Sequence, residues 1–119
     1  SKEPLGPTLR QDDARFRDIV AWTLNIIIAA EEFGVTKANV AEQAASSTNP
    51  EVQRMLGKTG EFGKMLGMEQ DWAVKVIAAT GNYGELYERN LGSGSPIKLD
   101  RGLNSLWSKG GLLYSPPFR

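Results

Sequence analysis

The chain has 119 residues, enough for one modest core, with 14 basic and 14 acidic side chains and no formal net charge at neutral pH. It contains no cysteine and no histidine, which excludes disulfides, thiolate metal sites, and Ser–His or Cys–His nucleophilic catalysis. Its Lys and Arg residues are scattered rather than gathered on one segment, so a nucleic-acid partner is not expected.

The opening Ser1-Lys2-Glu3-Pro4 has no initiating methionine and no apolar signal region, and it predicts that an upstream part of a longer parent has been removed. Residues 1–11 carry Pro4, Gly6 and Pro7 between isolated Leu5 and Leu9. They read as an extended segment, the end of an element that began earlier.

Residues 12–34 read as a long apolar helix opened by Asp12 and Asp13, whose charges suit the positive end of a helix. Trp22, Ile26, Ala29 and Phe33 step by four, three and four along one face, and Leu24, Ile27 and Ile28 extend the apolar surface around most of the cylinder. Gly34 supplies a left-handed stop. Glu31 and Glu32 sit at the negative end of this helix and are expected to be solvated or paired. The apolar stretch from Ile19 to Ala30 is interrupted by Thr23 and Asn25 and falls short of the roughly 20 residues that cross a bilayer. The chain is therefore not expected to insert into a membrane.

Residues 35–119 read as a series of shorter helices. Lys37 to Ala45 is helix-compatible. Asn49 before Pro50, or Thr48 with Glu51 in a capping box, opens a helix that buries Val52, Met55 and Leu56 and stops at Gly57. A further turn or two over Glu61 to Leu66 stops at Gly67. Asp71 caps a second long helix, in which Trp72, Val76, Ala79, Tyr83, Leu86 and Asn90 keep helical spacing as far as Leu91. A break near Gly81 is the competing reading. In the continuous helix Ala78, Gly81 and Gly84 form a smooth strip against which another backbone could pack. Gly92 ends it, and a last helix from Asp100 or Arg101 to Ser108 presents Leu103, Leu106 and Trp107 before Gly110-Gly111.

Chemistry-bearing patterns are few. Gly60-Glu61-Phe62-Gly63-Lys64 lacks the spacing of a phosphate loop and follows no strand. Glu85 and Glu88 could be a carboxylate pair for hydrolysis, but Glu85 and Arg89 have the spacing of a helical ion pair, which is the favoured reading. Asp12, Asp13 and Asp18 could suggest a cation site, but a helix start accounts for the first two. Trp22, Trp72, Tyr83, Tyr87, Trp107 and Tyr114 could line a small-ligand pocket, yet at helical spacing they are expected in a core. No catalytic residue, metal ligand or cofactor is expected.

Ser47-Thr48-Asn49-Pro50-Glu51-Val52, Asp71-Trp72-Ala73, Gly81-Asn82-Tyr83-Gly84-Glu85, Arg101 to Trp107 and Lys109 to Arg119 together resemble the periplasmic general L-amino-acid-binding proteins of ABC transporters. The resemblance covers essentially the whole chain but only the C-terminal part of that family. It implies an all-α fold of several short helices around two long ones, preceded by the extended end of an α/β lobe. The helix over 12–34 would pack on that lobe, and 35–119 would be a helical C-terminal extension. It further implies that the chain is not an enzyme, that it works in the periplasm, and that its partners are an amino acid, held by the full-length protein, and a membrane permease. The Arg and Asp that typically hold the ligand's carboxylate and amine belong to segments upstream of Ser1, and neither role is assigned to Arg10, Asp12 or Asp13. A helix stripped of its lobe implies self-association. The alternative from another class is a free-standing all-α interaction or oligomerisation module.

Overall fold

The structure, a computed structural model, describes residues 10–118, with side chains from residue 14 onward. Among the described residues six α-helices follow one another: α1 (Arg10–Glu32), α2 (Val40–Ser46), α3 (Pro50–Met55), α4 (Phe62–Met65), α5 (Trp72–Thr80) and α6 (Tyr83–Asn90), with a 3-10 turn at Trp107–Lys109. No strand forms among the described residues, only an isolated parallel bridge between Leu106 and Leu113. The all-α expectation holds. The expected extended segment lies largely outside the described residues, but Arg10 and Gln11, which it included, are already helical.

The central helix α1 packs against α5 and α6, while α2 bridges α3 and α5. Its core face is the one read from sequence: Ile26, Ala29 and Ala30 are buried, with Trp22 and Phe33 packed beside them. It ends in a Schellman turn in which Val35 donates to the Ala30 carbonyl over 2.8 Å and Gly34 takes φ 72°. Val35 is itself fully buried and fastens the chain to the core as it leaves the helix.

The expected stops at Gly57 and Gly67 also take positive φ. At α3 the Asn49 side chain accepts from the Glu51 N–H at 2.9 Å with Pro50 first in the helix, so the Asn–Pro reading of this start is the correct one. Val52, Met55 and Leu56 are buried as expected. Asp71 occupies the cap position of α5 but makes no side-chain capping bond. Its carboxylate instead lies 3.8 Å from Lys75.

The second long helix is two helices. Gly81 breaks the ladder with φ 79° and ψ −176°, and Asn82 restarts it. The Asn82 side chain accepts from Glu85 N–H, and the Glu85 carboxylate accepts from Asn82 N–H, each at 2.9 Å. This reciprocal box satisfies two orphan donors at the new N-terminus. Asn82 Nδ2 also donates to the buried Val35 carbonyl over 2.9 Å, and Lys37 N–H donates to Glu85. The break thus has a tertiary reason: it seats the start of α6 on the α1–α2 turn.

Two further expectations fail. Arg101 to Ser108 is not a helix but a folded loop, in which Leu112 donates to the Leu103 carbonyl and Trp107 to that of Leu113. Gly111 permits this closure, because a Cβ there would come within 1.9 Å of the Ser105 carbonyl oxygen. Nor is there a smooth strip for a partner backbone. Ala78 is exposed, and the space above Gly84 is filled by the Glu31 and Arg101 side chains.

Candidate functional site

The tail threads back onto the core. Phe118 is 3 % exposed and lies 5.5 Å from the Trp22 ring and 5.0 Å from that of Phe62, which in turn stacks on Trp72 at 6.0 Å. Burial of a ring of this size contributes about 1.5–3 kcal/mol, and each well-placed aromatic pair about 0.5–1.5 more. Of the aromatic candidates, Trp22 and Trp72 are therefore part of the core, and Phe118 anchors the tail on them.

Tyr83 and Tyr87 serve a second cluster. They stack with centroids 6.5 Å apart, and the Arg101 guanidinium sits 5.6 Å from one ring and 5.7 Å from the other. Arg101 donates to both carboxylate oxygens of Glu31, at 2.5 and 2.9 Å, and to the Asn104 carbonyl. The bond to Glu31, ahead of burial, which opposes it, holds the Arg101 pKa above its ordinary value. Tyr87 Oη donates to the Asp100 carbonyl at 2.9 Å. The C-terminal end of α1, the face of α6 and the terminal loop are thereby locked together. Glu31 is thus paired, one of the two outcomes expected for it.

Trp107 and Tyr114, expected in a core, are instead exposed at 69 % and 59 % and meet edge-to-face at 6.1 Å. Glu85 and Arg89 do not pair. Glu85 is used by the capping box, and Arg89 donates to the Thr80 carbonyl at 3.0 Å. Glu88 accepts from the Ser93 hydroxyl and Ser93 N–H, both at 2.7 Å, and these bonds, the hydroxyl first, hold its pKa below the ordinary carboxylate value. A general acid needs the opposite shift, so this Glu is set up as a loop clasp. The Gly60–Lys64 stretch is turn followed by the short α4. Asp18 is exposed, and no group of acidic side chains suited to a metal occurs among the described residues. The side chains of Arg10, Asp12 and Asp13 lie outside them.

The remaining surface feature is on α1. Phe16, Val20, Leu24, Ile27 and Glu31 step by four, four, three and four down one side, displaced from the core face. Ile27 is buried and Glu31 is held under the Arg101 arm, whereas Phe16, Val20 and Leu24 are 67 %, 50 % and 46 % exposed. The stripe is covered at one end and bare at the other.

No family model matches the chain. Over its full length it is 53 % identical to a glutamate/glutamine/aspartate/asparagine-binding protein of Rhodobacter capsulatus and 54 % identical to a general L-amino acid-binding periplasmic protein of Rhizobium johnstonii. It is 48 % identical to a putative amino-acid ABC transporter-binding protein of Escherichia coli. The chain is homologous to amino-acid-binding proteins of ABC transporters. It spans about a third (35 %) of the length of these curated relatives. A solved ABC-transporter periplasmic binding protein from Brucella ovis, with glutathione bound, superposes with a TM-score of 0.85 at 52 % identity, over 89 % of this chain and 33 % of that one. The homologues are substrate-binding proteins, not enzymes, as the resemblance implied. No helix among the described residues is long and apolar enough to cross a membrane.

Proposed function

We propose that this chain is the C-terminal helical segment of a periplasmic amino-acid-binding protein, one that delivers substrate to the membrane permease of an ABC transporter. The observation that carries this reading is identity of about half, along the entire chain, to proteins of which it forms a third. The ligand site belongs mostly to the upstream two lobes, which close around the amino acid before the protein docks on the permease. This segment contributes packing and rigidity, and part of its surface contributes to docking.

In this reading the bare end of the α1 stripe is the face that packs on the upstream lobe. Replacing Phe16, Val20 and Leu24 together by Glu tests it. In the full-length protein the triple change lowers the thermal midpoint and weakens amino-acid binding, whereas in the 119-residue chain it leaves unfolding nearly unaltered. Equal destabilisation of both would make the stripe part of the segment's own core and overturn the assignment.

The same stripe favours a second reading, an all-α module in which two copies bury it against each other. Sedimentation of the full-length protein separates the alternatives, since the 119-residue chain with its stripe bare is expected to self-associate in either reading. Dimerisation that is abolished by the triple change supports an interface between copies, and a clean monomer at high concentration opposes it.

A further inference from the structure

We propose that the cleft between the C-terminal end of α1 and the Tyr114–Phe118 tail binds a small organic cation, a guanidinium or alkyl-ammonium group carried on an apolar stem. The cleft measures about 240 Å³ and is lined chiefly by Glu32, Phe33, Glu51, Tyr114, Pro117 and Phe118. That is below the roughly 300–1,000 Å³ of sites for drug-sized ligands, so it suits one side-chain-sized group.

Three independent features set the sign of its charge. Glu32 is exposed and makes no hydrogen bond or ion pair with any described side chain. Glu51 Oε2 accepts from Arg54 Nη2 at 2.9 Å, and Oε1 has no bonded partner among the described residues. The last turn of α1 carries no basic residue, and the N–H groups of residues 33 to 35 take the carbonyls of Ala29, Glu31 and Ala30. The Glu32 carbonyl is left without a backbone donor at the negative end of the helix. No described basic side chain lines the cleft.

Its walls suit the same class of ligand. Phe33 and Tyr114 bring aromatic rings to its lining, and such rings attract an organic cation and not a strongly hydrated metal ion. Glu32 and Tyr114 also border an adjoining recess whose other wall includes Trp107. The exposed Trp107–Tyr114 pair is therefore continuous with the charged cleft, and it offers an apolar platform for the stem. The proposal does not depend on the transport reading.

The test is titration of the isotope-labelled 119-residue chain with butylguanidinium, butylammonium and, as a neutral control with an apolar stem, 1-pentanol, followed by NMR. Saturable shifts at Ala29, Phe33 and Tyr114 with either cation, and none with the alcohol, are expected. Which of the two cations binds more tightly identifies the head group. Glu32→Gln, an exposed and nearly isosteric change, weakens binding about tenfold, the loss of one charge-assisted contact. Tyr114→Ala, whose ring is largely exposed, weakens it independently of that charge. Absence of saturation, equal shifts with 1-pentanol, or wild-type affinity in folded Glu32→Gln would overturn the proposal.

Discussion

Arg101 and Glu31 lie 70 residues apart, and their two-pronged ion pair ties the terminal loop to the end of α1. The side chains are only 19 % and 15 % exposed, and the guanidinium is further covered by Tyr83 and Tyr87. Such a pair need not stabilise the fold relative to an apolar substitute, but removal of one partner strands the other away from water. Arg101→Ala is therefore expected to cost about 2–3 kcal/mol in urea unfolding. Arg101→Lys should recover only part of this, since an ammonium cannot bond both oxygens while lying flat on two rings. A loss below about 0.5 kcal/mol for Arg101→Ala would show the pair to be no more than an exposed contact.

Gly84 lies directly beneath that pair. A Cβ there would lie 2.9 Å from a Glu31 carboxylate oxygen and 3.1 Å from Arg101 Nη1. Gly84→Ala should gain about 0.5–1 kcal/mol of helix propensity yet be net destabilising. In the Arg101→Ala background the same change should turn neutral or stabilising. A double-mutant cycle without this reversal would contradict the contact.

Asn82 combines the cap of α6 with the bond to the Val35 carbonyl, and it is 6 % exposed. Asn82→Ala should cost about 2–3 kcal/mol, the sum of a lost cap and an unsatisfied buried carbonyl. Asn82→Asp keeps the acceptor but not the donor, so chemical denaturation should place it between the two. A loss below about 0.5 kcal/mol for Asn82→Ala would show that neither bond contributes.

The clasp between Glu88 and Ser93 carries a pH signature. The folded-state pKa of Glu88 lies below its ordinary value of 4.5. Its contribution is therefore complete above that value and is lost as pH falls through the folded-state pKa. Ser93→Ala should move the Glu88 carboxyl titration upward in a carbon-detected NMR titration. An unchanged titration would remove the Ser93 hydroxyl as the cause.

The local punctuation was legible in the chain, because stops such as Gly34 and starts such as Asn49-Pro50 are set by nearest neighbours. The break at Gly81 was harder, since steps of four, three and four run through it undisturbed. Its signal was the Asn82-x-x-Glu85 capping box directly after a glycine, which outranks periodicity at that point. The stretch from Arg101 to Ser108 reads as a helix because Leu103, Leu106 and Trp107 have helical spacing. What decides it is the approach of Gly111 to Ser105, a contact formed only on folding. Exposure of Trp107 and Tyr114 was equally invisible, as no local pattern separates an aromatic that anchors from one that waits at a surface. Pairing of Glu31 with Arg101 was out of reach for the same reason of distance along the chain.

The central claim is that this segment supports a binding protein without holding the ligand itself. Isothermal titration calorimetry with glutamate, glutamine, aspartate and a neutral amino acid, on the 119-residue chain and on the full-length protein, tests it most directly. Saturable heats from the full-length protein and none from the chain are expected. Micromolar binding by the 119-residue chain alone would contradict the account.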